Sequence, residues 1–384
     1  MIAFFLFWGI IIRDIMCLME EEMDYKAVFK EKLGKLLFLE LNWDGFKKSV
    51  GIPEGVSLKT KDLYMPISSS YVASHANDTY KIKNLPIYYF IEGMLLSLGA
   101  DENLSYCEDY IIIFNNLKDS EECGKALVAN KIKSDELIDA YLLLKGLYLA
   151  TGNEEYYKRL LLVGEAQREK DSAFSEIILI DIEEGKSEFI DLPDPYLYKA
   201  IILKSKGDFK GAKVEINEYV NKGGEVTSEI KTIINDIDNV SSYEKAIELL
   251  DESPEKSIGL LLSLVDVFDS NPLLYYYLGV AYRKLDNFEK AIYYLNESLN
   301  IESGILEVIN ELGVNYACLG DFETAIKYFK KGFEASKDVE ICTNIVMCYL
   351  NLGDKENAKL HLDIAKKLNP EDEVVVELDR ILAK

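Results

Sequence analysis

A short pattern recurs in the last third of the chain at an almost constant interval. The hexapeptides DNFEKA at 286–291, GDFETA at 320–325 and GDKENA at 353–358 begin 34 and 33 residues apart. Gly suits the residue just past a helix because it adopts positive φ without a Cβ clash, and Asp caps the next helix by accepting from its free N–H groups. A fixed period of this length predicts stacked helix pairs joined by tight turns.

The residues that precede these turns repeat as well. Leu278, Gly279 and Tyr282 of the first copy recur in the second as Leu312, Gly313 and Tyr316, and the third copy has Ile345, Val346 and Tyr349. This spacing resembles the tetratricopeptide repeat, clearly over about 271–370 and in degenerate form upstream. No copy keeps the tryptophan of that family, and only the last keeps its proline, at Pro370.

The resemblance implies an all-α fold, a right-handed α-solenoid of antiparallel helix pairs, with an irregular N-terminal segment. We expect a hydrophobic segment at 1–22, a helix plus irregular segment at 23–84, a degenerate helix-pair region at 85–240 and a repeat domain at 241–384. Within that domain we expect repeats at 272–305, 306–338 and 339–372 and a capping helix at 373–384.

Looser copies of the pattern occur upstream. The hexapeptide GDFKGA at 207–212 predicts the turn of a more degenerate pair, and the segment 142–162 looks similar, with Gly146 as a tight-packing residue and Gly152 near the turn. The segment from Ser241 to Asp269 fits one more pair directly before the first clear repeat. Helical pairs are therefore predicted from about 85 to 384.

The N-terminal part is less regular. Residues 24–41 suggest a helix, and 42–84 are either a long loop or contain a short hairpin. Residues 1–12, MIAFFLFWGIII, are strongly apolar but shorter than the roughly 20 residues that span a membrane. They are a short anchor, a packed helix, or translated sequence upstream of a start at Met16, Met19 or Met23; the last interpretation is favoured.

Charge and cysteine usage limit the class of partner. The formal net charge of −24 argues against nucleic acid and against an anionic membrane surface, because both bind clustered Lys and Arg. The six cysteines include no Cys-x-x-Cys pair, which indicates a reducing cytoplasm and not a disulfide framework. We therefore expect a cytoplasmic protein whose partners are other proteins, with self-association left open.

Nothing in the sequence indicates an enzyme, a cofactor or a metal site. The two histidines, His75 and His361, belong to no ligand-spaced cluster, and no phosphate-cradling glycine motif occurs. The tyrosine-rich clusters at helical spacing favour packed core over an aromatic ligand cage. A helical enzyme with its site in residues 42–84, near His75, is kept as a minor alternative.

The resemblance also points to a binding surface. In this family the concave wall is contributed largely by positions 5, 9 and 12 of each repeat, which share one helix face. The alternative is that these residues complete the core between repeats or face water. Here the positions hold Tyr276, Val280, Arg283, Asn310, Val314, Ala317, Thr343, Met347 and Leu350.

The expected function is a non-enzymatic scaffold that binds a peptide or helix of a partner protein in this groove. Apolar anchors would give affinity, and Arg283 or Asn310 would fix the register of the ligand. The family members that grip an acidic terminus use Lys, Asn and Arg at positions where this chain has Tyr276 and Val280, so acidic-tail binding is not expected. The alternative function is a membrane-tethered assembly factor that uses the apolar N-terminus.

Overall fold

A computed structural model describes residues 23–60, 62–74 and 85–383. The expectations for residues 1–22, including the start codon and the anchor, and the suggestion about His75 lie outside these ranges. Within them, the chain folds into two compact units, one ending at Ile234 and the other beginning at Asn235.

The first unit begins with short elements of mixed type. They are α1 (Tyr25–Gly34), β1 (Leu36–Leu41), α2 (Trp43–Val50), β2 (Leu63–Ser68) and α3 (Ser69–Ser74). The strands β1 and β2 form an antiparallel two-stranded sheet with Leu36 opposite Ser68 and Leu41 opposite Leu63. The segment 42–84 therefore contributes α2, α3 and the single strand β2, whose partner β1 lies before the segment, and its described residues form no hairpin of their own.

The prediction of one helix over 24–41 is wrong beyond Gly34. The apolar run LLFLEL that follows is β1, and each of its six residues has a partner in β2. A short apolar run fits a strand and a buried helix equally well, and pairing with residues far along the chain decides between them.

Helices fill the rest of the first unit. They are α4 (Ile87–Ala100), α5 (Cys107–Asn116), α6 (Ser120–Lys133), α7 (Leu137–Thr151), α8 (Glu154–Lys170), α9 (Ser175–Glu188), α10 (Asp194–Ser205) and α11 (Phe209–Asn221). One continuous hydrophobic core runs from Tyr25 to Ile202. The predicted pairs around 142–162 and 207–212 correspond to α7 with α8 and α10 with α11.

The helices α4 and α7 cross at two glycines. A Cβ on Gly146 would lie 2.1 Å from the carbonyl oxygen of Leu95, and a Cβ on Gly99 would lie 1.9 Å from that of Leu142. Each glycine therefore lies in direct contact with the backbone of the other helix, which confirms Gly146 as a tight-packing residue. Gly152, with φ of 65°, ends α7 in the left-handed region, as its predicted place near the turn requires.

A buried carboxylate joins three of these helices. Asp181 on α9 is 3% exposed, and it accepts hydrogen bonds from the Tyr141 hydroxyl and, at 2.7 Å, from the Lys145 Nζ, both on α7. The hydroxyl of Tyr157 on α8 donates to the backbone carbonyl of Asp181 at 3.0 Å. Burial lowers the pKa of Lys145, but the charge and hydrogen bond of Asp181 outweigh it and raise the pKa above its usual value.

The second unit is entirely helical over its described residues. The boundary between the two units falls within α12 (Ser228–Glu248). The helices that follow are α13 (Pro254–Ser263), α14 (Pro272–Lys284), α15 (Phe288–Ile301), α16 (Leu306–Cys318), α17 (Phe322–Ser336), α18 (Val339–Asn351), α19 (Lys355–Leu368) and α20 (Glu373–Leu382). The last helix buries Val375 and Leu378 against the preceding pair.

The pair predicted to start at Ser241 begins earlier. Its first helix, α12, starts at Ser228 and runs for 21 residues. Ile230, Ile234 and Ile237 continue the apolar spacing of the later turns, and no Gly or Pro interrupts residues 228–248, so nothing ends the helix upstream of Ser241.

The hexapeptide turns have the predicted geometry. The glycines at 207, 320 and 353 have φ of 82°, 81° and 74°, and Asp286, which replaces glycine in the first clear repeat, has φ of 55°. The next residue caps the following helix in every case: Asp208 accepts from the Gly211 amide, and Asn287, Asp321 and Asp354 accept from amides three residues ahead. Where an aromatic residue follows, it is half-buried and not fully buried.

Among the described residues, no helix combines the length and the apolar character that crossing a bilayer demands.

Two buried tyrosines make the first unit sensitive to alkaline pH. The Tyr25 hydroxyl donates to Asp171 at 2.6 Å, and that of Tyr156 donates to Glu121. Burial, followed by these hydrogen bonds, raises the pKa of each tyrosine to about 12. Because the folded state holds the proton more tightly, their contribution to stability is intact below the ordinary pKa of 10.0 and is lost as pH rises from there towards about 12.

We therefore expect the free energy of unfolding to fall between about pH 10 and about pH 12. Urea unfolding would be followed through Trp43 in a Trp8→Phe chain, since these are the two tryptophans. The Tyr25→Phe/Tyr156→Phe variant should show a shallower fall. An unchanged slope would mean that these two hydroxyls do not set the pH dependence.

Candidate functional site

The candidate binding surface is built on three helix pairs of the second unit. The first helices are α14, α16 and α18, and the second helices are α15, α17 and α19. A Cβ on Gly279 would lie 2.6 Å from Leu295 Cγ, and one on Gly313 would lie 2.6 Å from Phe329 Cε1. The Leu-Gly positions of the sequence pattern therefore hold the two helices of a pair close together. In the third pair Val346 takes the glycine's position and is fully buried.

An aromatic contact recurs between the helices of each pair. Tyr282 stacks on Tyr294 with centroids 5.4 Å apart, and Tyr316 stacks on Tyr328 at 5.5 Å. The third pair places His361 in the second position, 5.3 Å from Tyr349 and tilted by 35°. His361 is thus a ring that packs at a structural position of the repeat. In the sequence this contact corresponds to an aromatic residue twelve positions after the tyrosine of each repeat.

Replacement of His361 by tyrosine should therefore be tolerated. Tyrosine occupies the same position in the two preceding pairs, so we expect His361→Tyr to change the free energy of unfolding by less than about 1 kcal/mol. His361→Ala, which removes the ring, should destabilise the unit by about 1–2 kcal/mol. Thermal unfolding of both variants checks this, and a large loss of stability in His361→Tyr would contradict the packing role.

The first repeat contributes three of the predicted wall residues on α14. Tyr276 is half-buried and packs against both its own repeat and the next. Val280 is 9% exposed and belongs mainly to the core. Arg283 is held by the next repeat: its Nε and Nη2 donate to the two carboxylate oxygens of Glu311 at 2.7 and 3.2 Å.

The second repeat places Asn310, Val314 and Ala317 on α16, all of them half-buried. Val314 and Ala317 pack against the core between the second and third repeats. The Oδ1 of Asn310 is buried and accepts no hydrogen bond from the described residues. The Oδ1 of Asn310 is therefore shielded from solvent and has no hydrogen-bond donor in the part of the chain that the structure describes.

The third repeat differs most in exposure. Thr343 on α18 is 2% exposed, and its hydroxyl donates to the carbonyl of Glu340 at 2.8 Å. Met347, one turn further along, is 39% exposed, and Leu350 packs partly into the core with α20. Met347 is thus the predicted wall residue with the most accessible apolar side chain.

Two carboxylates near this wall, Glu307 and Glu311, were not identified from the sequence. Burial raises the pKa of Tyr276 to about 12, and the negative charges of Glu311 and Glu307 add to the rise while Arg283 opposes it. Tyr276, Arg283 and the two glutamates therefore form one polar neighbourhood on the first two repeats. Glu311 follows Asn310 directly, but its partner Arg283 lies 28 residues earlier on another helix, so no local spacing points to the pair.

No cluster of three or more metal-ligating side chains occurs in the part of the chain that the structure describes. Cys342 and Cys348, both on α18, are buried, and burial raises the pKa of each thiol to about 11. These cysteines remain protonated at neutral pH and act as small apolar core residues.

Comparisons with known proteins agree on the repeats. One family model, described as Tetratricopeptide repeat, matches residues 272–304, and a second of the same description matches 306–338 and 339–372. A search of curated proteins finds no match.

Several solved structures are similar to parts of this chain at low identity. A crystal structure of MamA protein is 19% identical, covers 46% of this chain and 90% of its own, and has a TM-score of 0.35. A chain of the APC/C hetero-tetramer Cut9–Hcn1 is 15% identical over 77% of this chain and 63% of its own, with a TM-score of 0.36. The pilF protein of Pseudomonas aeruginosa is 13% identical over 59% and 96%, with a TM-score of 0.35. At these TM-scores the structures carry no argument about function.

Proposed function

We propose that residues 272–372, which are three tetratricopeptide repeats, bind a segment of a partner protein along the wall formed by α14, α16 and α18. Tetratricopeptide repeats mediate protein–protein interaction, so this chain has the architecture of an interaction scaffold. The observation that carries the proposal is the unbroken run of three repeats, because a stack of helix pairs presents one continuous surface to a ligand.

The accessible members of the wall supply the apolar contacts. Met347 is exposed, and Tyr276 and Val314 are half-buried, so each retains surface that a ligand would cover. Val280 and Thr343 are buried and support the wall from behind. Flexible Met and aromatic Tyr side chains are both suited to peptide contact, because Met adapts to the shape of its partner and Tyr offers a large surface at low entropic cost.

Asn310 is better placed than Arg283 to fix the register of the ligand. Both nitrogens that Arg283 uses are engaged by Glu311, and breaking this bidentate pair would expose an unpaired charge. Asn310 makes no such ion pair, but its Oδ1 is buried, so it would accept a backbone N–H of an extended ligand only after the side chain rotates towards the wall surface.

The surrounding charges select against an acidic ligand. Glu307 is exposed at the start of α16, and Glu311 lies one turn further along the same helix, where it is paired with Arg283. With a formal charge of −24 on the chain, an acidic segment would be repelled on approach. The proposed ligand is therefore a neutral or basic segment with apolar anchors.

The proposed scaffold is not an enzyme and acts in the cytoplasm. Tetratricopeptide repeats are generally a non-catalytic fold, which supports the first statement. Free and mostly buried cysteines among the described residues are in keeping with a reducing compartment.

Affinity capture from native lysate tests the proposal. The wild-type chain would be compared with Met347→Glu, which places a charge on the wall, and with Leu360→Glu as the matched control. Leu360 is 57% exposed on α19, the second helix of the same repeat, so it offers the same substitution away from the wall. Both variants should fold, since both residues are exposed.

A defined protein retained by wild type and by Leu360→Glu but lost from Met347→Glu supports binding at the wall. Cross-linking mass spectrometry would then locate the bound segment, which should contact α14, α16 or α18. Equal retention by all three chains would contradict the proposed site.

A further inference from the structure

A pocket lies between the helices α6 and α8 of the first unit. Both helices pack on α7, but their backbones hardly approach each other. Tyr156 of α8 bridges them near their N-terminal ends, where its hydroxyl donates to Glu121 of α6. Beyond this bridge the three helices line a pocket with a volume of about 250 Å³.

The interior of this pocket is aliphatic. Leu144 and Leu147 of α7 form its floor, and Val128 of α6 and Val163 of α8 lie on its two sides. All four side chains are more than nine-tenths buried. A water molecule in such a place has too few polar partners to be held, so the interior favours a hydrocarbon group.

The opening of the pocket carries two positive charges. Lys125 of α6 and Arg159 of α8 line it, and both side chains are about half exposed, so their charged ends reach solvent. Among the described residues that line the pocket there is no carboxylate, although the chain has 67 Asp and Glu against 43 Lys and Arg. Ile132 and Leu162 extend the apolar surface to the same opening, where they are 45% and 59% exposed.

The ion pairs of these two cations leave them free to take a further partner. The Nζ of Lys125 lies 3.2 Å from Oε1 of Glu121, and the Nε of Arg159 donates to Glu155 at 3.0 Å. Each pair joins exposed residues four apart on one helix, and such pairs contribute little to stability. The Nη1 and Nη2 of Arg159 donate to no residue in the part of the chain that the structure describes.

We propose that this pocket binds a small amphipathic carboxylate, with its hydrocarbon tail against the aliphatic interior and its carboxylate between Lys125 and Arg159. Small-molecule sites are typically apolar pockets in which a few polar groups fix the orientation of the ligand. Both cations bind carboxylates through charge-assisted hydrogen bonds, and Arg can supply two parallel ones.

The volume sets the length of the ligand. An apolar cavity of about 150 Å³ takes benzene, so a pocket of about 250 Å³ takes about ten non-hydrogen atoms. A saturated carboxylate of about eight carbon atoms has this size.

Other occupants use the pocket less completely. A cationic ligand would be repelled at the opening. An apolar side chain of a partner protein would fill the interior but would leave Lys125 and Arg159 unused, so a neutral probe distinguishes it from a carboxylate. This inference does not depend on the proposed function of the repeats.

Titration calorimetry of the full chain with octanoate and with 1-octanol tests the proposal. Octanoate should bind at one site, at least about tenfold more tightly than 1-octanol, because only the carboxylate forms charge-assisted hydrogen bonds at the opening. Hexanoate should bind about tenfold more weakly than octanoate, because two fewer methylene groups leave water.

Substitutions separate the charges from the apolar interior. Lys125→Gln/Arg159→Gln should weaken octanoate binding at least about tenfold and leave the Kd of 1-octanol unchanged. Ala129→Phe should abolish binding of both, because Ala129 is exposed and lines the pocket, and the new ring is removed from water by entering it. Ala126→Phe is the matched control: Ala126 is exposed on the same helix and does not line the pocket, so binding should be as in wild type.

Octanoate binding that falls in Lys125→Gln/Arg159→Gln, disappears in Ala129→Phe and persists in Ala126→Phe supports the site. Equal affinities of wild type for octanoate and 1-octanol would overturn the proposal, because the occupant would then be an apolar group without a carboxylate. Unchanged octanoate binding in Ala129→Phe would overturn it as well, since the ligand would lie elsewhere. So would a wild-type Kd for octanoate above about 1 mM.

Discussion

Replacement of Asp181 by alanine is expected to destabilise the first unit by about 3–5 kcal/mol. The substitution leaves the Lys145 ammonium, which Asp181 binds at 2.7 Å, and the Tyr141 hydroxyl without their acceptor in a buried site. The Lys145 side chain is 18% exposed, and an unpaired charge in this largely buried position costs more than the intact pair contributes, so the loss comes mainly from Lys145. Urea unfolding followed through Trp43 in the Trp8→Phe chain measures the change.

The double variant Asp181→Ala/Lys145→Met is the control for this explanation. It removes the stranded charge and fills the space with an apolar chain of similar length, so much of the lost stability should return. If the double variant is as unstable as Asp181→Ala, the stranded charge is not the cause. A loss of less than about 1 kcal/mol in the single variant would contradict the role of the cluster.

A methyl group at Gly146 is expected to cost about 2–3 kcal/mol in the same unit. The new Cβ would lie 2.1 Å from the backbone oxygen of Leu95, so the helices α4 and α7 must move apart. A backbone atom cannot rotate away as the end of a side chain can. The loss should exceed the gain of about 1 kcal/mol that alanine normally brings to a helix.

Gly124→Ala is the matched control for Gly146→Ala. Gly124 lies on α6, in the same unit, but its added Cβ would meet the side-chain ends of Leu147 and Leu95, at 2.7 and 3.2 Å. These groups can shift, so we expect a change within about 1 kcal/mol. Equal effects of the two substitutions would mean that the close crossing of α4 and α7 does not limit the fold.

The turns of the repeats were predictable because their chemistry is local. The positive φ of Gly320 and the capping hydrogen bond of Asp321 depend on residues within one hexapeptide. The same reasoning identified the turn at Gly207, where the surrounding pair is too degenerate to fit the repeat pattern well. A period of 34 and 33 residues then specified how the pairs follow one another.

The strand β1 was not predictable in the same way. The six mostly apolar residues that follow α1 are compatible with a continuation of its helical hydrophobic pattern. Their pairing with residues 63–68 is a long-range contact that the local sequence does not indicate. The start of α12 at Ser228 was not predictable for a related reason, because the repeat-like pattern begins only at Ser241, within the helix.

The repeat positions indicate which helix face a residue occupies but not how deeply it is buried. Val280, Val314 and Met347 hold the same position in three repeats, yet they are buried, half-buried and exposed in that order. The burial of each position depends on the side chains that the neighbouring repeats pack against it. The pairing of Arg283 with Glu311 likewise joins separate helices and follows from packing alone.

The central claim is that the wall on α14, α16 and α18 binds a partner segment, and titration calorimetry tests it most directly. A synthetic peptide spanning the cross-linked segment would be titrated into wild type, Met347→Glu and Leu360→Glu. We expect Met347→Glu to weaken binding at least about tenfold, a loss of about 1.4 kcal/mol, and Leu360→Glu to leave the Kd unchanged. Equal affinities of all three chains for the peptide would contradict the claim.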